Sequence, residues 1–313
     1  MEWAGGPVLV TGGCGWLGSS LVARLIGEGV EVVVADLPSL IAASPSIEAD
    51  LLPLDVSEPG ALDSIVAQRR PEAIVHLAYL LGPASQADVS RALSVNCLGT
   101  AKVFDAAIDH DVRRVVWLSS SAVYGRPETY GDELISEEDL RGDTHLLYGA
   151  TKRFNEQMAA IYTRDRGLDQ ISLRLSLGYG PPGRDRGFSA QVSNLFEGAF
   201  SGAETRLVFP DSVQNWVYVD DVVEAIMLAL AKVSVEHRVF NISSDETYTP
   251  AQVGDLLRER FPEAKLEFIS EGEAEWPARL DYSRARAELG YQPSVDIHEG
   301  IARYAASQGL TVR

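Results

Sequence analysis

Apolar positions along the chain fall in short runs that alternate with stretches of helical period. The run at 7–11 stops at the glycine-rich segment GGCGWLG, beyond which Leu17, Leu21, Val22, Leu25 and Ile26 recur at three- and four-residue spacing. This pattern predicts a strand, a tight turn and a helix. Further runs, several rich in β-branched residues, lie at 30–35, 50–54, 73–77, 114–119 and 170–175, with helical patterns between most of them. Such alternation builds a parallel sheet covered on both faces, because each return to the same edge needs a crossover of about a dozen residues or more. The expected fold is α/β, a doubly wound parallel sheet.

The segments 93–108 and 147–163 read as helices with small and apolar residues on more than one face, so each has a second face to bury, for instance against another subunit. After 170–175 the character changes. YGPPGRDRG is loop-like, 188–200 is helical, and the later elements are more closely spaced. A division follows into an N-terminal domain, 1–177, and a smaller α/β domain, 178–313, some segments of which return to the first sheet. Within the second domain, Thr249 and Pro250 form an N-cap and first-turn pair opening a helix over 251–261.

Composition removes several function classes. Hydrophobic residues at 46% and charged residues at 23% are those of a soluble globular protein. With 45 Asp and Glu against 27 Lys and Arg the net charge is −18, and no local basic stripe is present to meet a phosphate backbone, so nucleic acid is not an expected partner. No apolar run reaches about 18 residues, and MEWAGGPVLVTGG lacks a basic leader region, so no membrane association and a cytoplasmic location are expected. Cys14 and Cys97 are too few for a disulfide framework. His76, His110, His145, His237 and His298 show no paired ligand spacing, and no metal is expected.

Candidate chemistry begins at the first turn. Gly12, Gly15 and Gly18 stand between strand and helix, where missing side chains let backbone approach a pyrophosphate and the helix N-terminus offers free N–H groups. Asp36 ends the second strand, where a carboxylate accepts from both adenosine ribose hydroxyls and repels a 2′-phosphate. No Arg follows in ADLPSL, so the cofactor expected is NAD rather than NADP. Asp55, ending the third strand, is either an acceptor for the adenine amino group or a helix cap. Cys14 reads as small filler inside the loop. Tyr148 and Lys152 in YGATK are four apart on a helix and share a face. A nearby ammonium is what makes a phenol, ordinarily ionising near 10, a usable proton acceptor at neutral pH. LSSSAVYG follows the fifth strand, at the edge where parallel sheets bind ligands.

Taken in order, VTGGCGWLGSSL, Asp36, HLA at 76–78, NCLGT from Asn96, SSSAVYG, YGATK, LRLSLGYGP and WVYVDDVVEAI make the chain similar to the extended short-chain dehydrogenase/reductase family, of NAD-dependent epimerase/dehydratase type, over almost its full length. The resemblance implies a Rossmann domain, a homodimer formed through the helices bearing Asn96 and Tyr148, and a Ser-Tyr-Lys triad of Ser120, Tyr148 and Lys152, with Ser121 the alternative hydroxyl. It implies a cofactor surface of Gly12, Gly15, Trp16, Leu17 and Gly18, with Asp36, Asp55 and Val56 toward the adenosine. Leu77, Ala78, Asn96, Ser119, Tyr148, Lys152 and Leu175 complete it toward the nicotinamide. Arg174 is expected to be structural, pointing away along its strand.

The chain also departs from the family. Members acting on nucleotide sugars carry an Asn and an Arg that hold the diphosphate, and here those positions are Leu177 and Gln214. An RPGD-like segment that often adds a second arginine is missing, although Arg279 lies near. A buried diphosphate needs cationic or multi-donor partners, which a leucine cannot supply. The acidic pair of the sugar 4,6-dehydratases is replaced by Ser121 and Ala122, which removes the acid and base for dehydration. The reading is thus an NAD-dependent oxidoreductase acting on a small polar alcohol or ketone, such as a sugar, sugar acid or hydroxy acid. A UDP-sugar 4-epimerase is the alternative, and a dinucleotide-sensing protein without catalysis is the more distant one. Tyr79, Ser121, Leu177, Arg184 and Gln214 are expected against the substrate. Tyr79, with Leu80 and Leu81, otherwise reads as packing at the strand end, and Arg184 with Arg186 otherwise reads as a solvated charged loop around Asp185.

Overall fold

The structure, a computed structural model, describes residues 5–44, 46–181, 188–208, 211–271 and 277–311. Its centre is a seven-stranded sheet, entirely parallel. In chain order the strands are β1 (Val8–Thr11), β2 (Val32–Asp36), β3 (Asp50–Pro53), β4 (Ala73–His76), β5 (Arg114–Ser120), β6 (Gln170–Leu175), β7 (Leu177–Tyr179), β8 (Glu204–Val208), β9 (Gln214–Tyr218), β10 (Val239–Ile242), β11 (Thr247–Tyr248) and β12 (Lys265–Ile269). The large sheet runs β10-β6-β5-β4-β1-β2-β3, so its order reverses beside β1, which is where ligands of such sheets bind.

Alternate residues of each strand enter opposite cores. On one face Val8, Val10, Val32, Val34 and Val75 pack with Leu17, Leu21 and Leu25 of the first helix, Trp16–Gly27, and with Val222 and Ile226 of the helix Val219–Ala231. On the other, Leu9, Val33, Ile74, Val115 and Trp117 pack against Val66, Val103, Phe104 and Ala107. Burial on both faces explains why the strands read as continuous apolar runs.

β10 adds the seventh strand from beyond residue 178, while β11-β9-β7 and β12-β8 form small sheets of the C-terminal half. Thr249 caps its helix in a full capping box with Gln252, and the helix runs Pro250–Arg260. One departure from the sequence reading concerns 93–108. The segment Leu93–Gly99 is a π-helix, and only Thr100–Asp109 is α-helical. A π segment widens the turn, which is how Asn96 reaches the loop after β4.

Candidate active site

The turn after β1 is built by close backbone approach. Gly12 has φ +74, and a Cβ there would lie 2.7 Å from the Ala78 amide nitrogen. A Cβ on Gly18 would lie 2.2 Å from the Gly12 carbonyl oxygen, so this glycine lets helix and strand meet. Gly15, the N-cap of Trp16–Gly27, has extended backbone (φ −75, ψ 176) and makes no side-chain cap. The helix therefore begins with N–H groups aimed outward and no carboxylate or hydroxyl from its cap to receive them. Behind the turn, the Asp36 carboxylate accepts from Cys14 N at 2.9 Å and Leu37 N at 2.7 Å. Those bonds fix its direction and leave each oxygen a further lone pair. Burial pushes the Asp36 carboxyl up, opposed by the same two amides. A cradle that only glycine can form, an uncapped helix start and an anchored carboxylate fit a dinucleotide with a free ribose 2′-hydroxyl.

Leu17 and Gly18 are buried, and Trp16 donates from Nε1 to the Gly180 carbonyl at 2.8 Å. Asp55 is committed differently from an adenine contact: its carboxylate accepts from Ser57 N and Oγ and pairs with Arg91. Ser57 and Arg91 hold that carboxyl below its usual range although burial opposes them. It caps no helix either, since the next one, Ala61–Arg69, has Gly60 as its N-cap, and the bonds to Ser57 close a local turn instead. Val56 packs on Gly99, where a Cβ would come within 2.9 Å of Val56 Cγ2. The Cys14 thiol is pushed up by burial and by Asp36.

Tyr148 and Lys152 occupy the first turns of the helix Leu147–Arg166. A Cβ on Gly149 would lie 2.5 Å from the Ala122 carbonyl, so the glycine of YGATK lets this helix press on the turn Ser121–Tyr124 at the end of β5. The contact sets the first turn of this helix against the turn that Ser120 caps. Ser120 is partly exposed and its Oγ accepts from Ala122 N at 3.2 Å. Its neighbours turn inward: Ser121 is 1% exposed, and Ser119, 2% exposed, donates to Glu156. Lys152 is 3% exposed, donates to the Leu118 carbonyl and places Nζ 5.6 Å from the Tyr148 ring centroid. Burial pushes the Lys152 ammonium down, opposed by Glu156 and Cys97.

A polar layer supports the pair. The Asn96 amide clasps the loop after β4, accepting from Leu80 N at 2.8 Å and donating to Leu80 O at 3.0 Å, so its side chain is spent on holding Leu77–Leu80 in place. Asn155, which the sequence reading missed, donates to Asn96 O and to Tyr79 Oη, both at 2.7 Å. Its signal was present: Tyr148, Lys152 and Asn155 follow at i, i+4 and i+7 on one helical face. Arg174 is buried in a bidentate pair with Glu156, at 2.8 and 2.7 Å, and donates to Tyr124 Oη at 2.8 Å, a structural placement that ties β6 to the helix Leu147–Arg166. His76 is buried between Thr11 and Thr100.

Leu175, expected against the cofactor, is partly buried where β6 ends, and of the residues expected against the substrate Leu177 is 4% exposed in β7 and Gln214 1% exposed in β9. Gln214 Nε2 donates to Ser212 Oγ at 2.6 Å, and its Oε1 is buried without a hydrogen-bond partner among the described residues. Arg279 is exposed and donates to the Asp132 carbonyl at 2.9 Å. Arg184 and Arg186 lie outside the described residues. Among the described residues, no group of three or more His, Cys, Asp or Glu is placed to hold a metal, and no helix is long and apolar enough to cross a membrane.

Residues 8–243 match the NAD dependent epimerase/dehydratase family. A UDP-glucose 4-epimerase of Mycolicibacterium smegmatis is 31% identical over 331 residues, covering 94% of this chain and 96% of that protein. Among solved structures, the UDP-glucose 4-epimerase of Thermotoga maritima with UDP-glucose superposes with a TM-score of 0.87 at 28% identity, over 97% of this chain and 98% of that one. The UDP-glucose 4-epimerase of Thermus thermophilus in complex with NAD gives 0.85 at 27% identity, over 96% and 98%. The dinucleotide that the cradle fits is thus NAD. With the match running from the first strand of the large sheet through the last one to join it, the chain belongs to the NAD dependent epimerase/dehydratase family.

Proposed function

We propose that the protein is an NAD-dependent oxidoreductase that interconverts a small polar alcohol and its ketone, with Ser120, Tyr148 and Lys152 handling the proton. NAD, when bound, supplies the hydride acceptor or donor. Ser120 Oγ accepts from Ala122 N, which orients the hydroxyl so that its own O–H can donate to the reacting oxygen. Tyr148 exchanges the proton with that oxygen, and the Lys152 charge makes its phenolate accessible. Gly12, Gly15 and Gly18 hold the pyrophosphate, and Asp36 the adenosine ribose.

The observation that carries the substrate class is the buried Gln214 of β9. Here a buried neutral amide, with an acceptor oxygen left over, stands where a diphosphate would require a cation. An orphaned acceptor suits a hydroxyl-bearing substrate and opposes an anion. The test is calorimetric titration of UDP into the NAD-saturated protein. No measurable binding is expected, and micromolar binding overturns the small-substrate reading. Screening sugars, sugar acids and hydroxy acids for NADH formation then finds the substrate, and Tyr148→Phe is expected to abolish turnover.

A second reading, a UDP-sugar 4-epimerase, is supported by the 31% identical relative. The two differ in net redox: an oxidoreductase accumulates NADH in proportion to product, and an epimerase does not. In either case we propose a homodimer through the helices that carry Asn96 and Tyr148, whose outer faces expose Leu93, Leu98, Phe154 and Ile161.

A further inference from the structure

Tyr79 stands beside Lys152 in a way that neither the glycine motif nor YGATK foretells. Its ring centroid lies 3.2 Å from Lys152 Nζ, closer than the Tyr148 ring, and its edge meets Tyr148 at 5.9 Å and 89°. The far end is tied, because Tyr79 Oη accepts from Asn155 Nδ2 at 2.7 Å, and the same amide reaches Asn96 O. Asn96 in turn fixes the backbone next to Tyr79 through Leu80. The ring is therefore held by two elements rather than lying on the ammonium by chance.

We infer that Tyr79 is a positioning residue for Lys152, its ring face holding the buried ammonium at the point from which it acts on Tyr148. The inference rests on the proposed role of Tyr148 and Lys152. Lys152 has three donors, and among the described residues its one hydrogen bond goes to the Leu118 carbonyl. The other ionisable groups facing it are Glu156 on its own helix, Cys97 from Leu93–Gly99, His76 from β4 and Tyr148. Glu156 is already engaged by Arg174 and Ser119, and burial keeps His76 neutral. An aromatic face adds to the Leu118 carbonyl as compensation for a cation taken out of water. Among the described residues Lys152 makes no direct ion pair, because the Glu156 carboxylate is taken by Arg174 and Ser119.

The test is ultraviolet titration of tyrosinate in the NAD-saturated protein, with Tyr148→Phe subtracted to isolate the Tyr148 step. Tyr79 itself ionises above that step, since burial pushes its phenol well up. Tyr79→Phe keeps the ring and loses only the tie to Asn155, and it is expected to leave the step in place. Tyr79→Leu removes the ring face and is expected to move the step up by about one pH unit, because Lys152 then holds its charge less well. Phenylalanines of increasing fluorination at position 79 keep the shape, and are expected to move it progressively should Tyr79→Leu not fold. A step indifferent to Tyr79→Leu and to fluorination, or one moved as far by Tyr79→Phe, overturns the inference. A low step that survives Tyr148→Phe overturns the triad reading itself, and this inference with it. Loss of the step in Tyr148→Phe without any response to position 79 overturns the role of Tyr79 alone.

Discussion

The Trp16 indole, in the first turn after the glycine motif, donates from Nε1 to the carbonyl of Gly180 at 2.8 Å. The bond ties the cofactor cradle to the segment that leaves β7 for the C-terminal half. Gly180 has φ +125, and a Cβ there would lie 2.8 Å from Val219 Cγ1, so glycine is what lets its carbonyl face the indole. Trp16→Phe keeps most of the ring volume and deletes the donor, leaving a carbonyl unpaired. The expected loss is about 1 kcal/mol in urea unfolding of the cofactor-free protein. Unchanged unfolding would show that the tie contributes nothing to stability.

The glycines separate by the contacts they permit. Gly18→Ala puts a methyl 2.2 Å from the Gly12 carbonyl oxygen and 2.6 Å from Gly13 Cα, all backbone. A cost above about 2 kcal/mol is expected in thermal and urea unfolding. Gly15→Ala meets only the Gly12 oxygen at 3.2 Å on a backbone open to any residue, so it is expected to fold with near-normal stability. Its methyl lies at the helix start, and NAD binding is expected to weaken about tenfold by calorimetry, a loss of about 1.4 kcal/mol. Equal NAD binding in Gly15→Ala and the parent would place the pyrophosphate elsewhere.

His76 gives a pH signature. Thr100 gives its proton to Asn96 O, so His76 Nε2 donates to Thr100 and Nδ1 accepts from Thr11, the neutral tautomer. Burial, with Lys152 adding to it, pushes the ring down to about 3. A folded value below the ordinary 6.5 contributes stability that is full above 6.5 and declines as pH falls toward 3. The slope from this group is at most about 1.4 kcal/mol per pH unit. Urea unfolding at several pH values between 7 and 5 is expected to show the parent losing stability faster than His76→Gln, and parallel curves would remove His76 as the cause.

The proposed dimer face is open to direct test. Leu98 is 60% exposed and Phe154 51%, on the two helices at issue. Leu98→Glu combined with Phe154→Glu is expected to convert a dimer to monomers in sedimentation velocity while leaving the circular dichroism spectrum unchanged. A parent protein that sediments as a monomer at micromolar concentration would rule the dimer out.

Much of the cofactor side was legible from residue order, and the reason is local. The strand, the glycine turn and the helix after it lie within one stretch of chain, and Asp36 is carried to the cradle by the next strand of the same unit. Tyr148 and Lys152 share a face because the helical period alone puts residues four apart together. The neutral residues Leu177 and Gln214 were also legible, because residue type is read directly from the chain. By contrast, the π segment at Leu93–Gly99 was read as ordinary helix, since its apolar spacing does not reveal an added residue per turn.

The fold class, the dinucleotide cradle and the shared helix face of a phenol and an ammonium follow from residue order alone, all properties of backbone sterics and helical or strand period within short spans. The surroundings of that ammonium come from packing between distant segments. Lys152 meets Tyr79 from 73 positions earlier, Leu118 from the next strand and, on its own helix, a Glu156 already drawn to Arg174 on β6. Packing likewise decided that Asp55 would turn to Arg91 and that Trp16 would reach Gly180. These contacts depend on which side chains packing brings within a few ångströms, and no period along the chain encodes that.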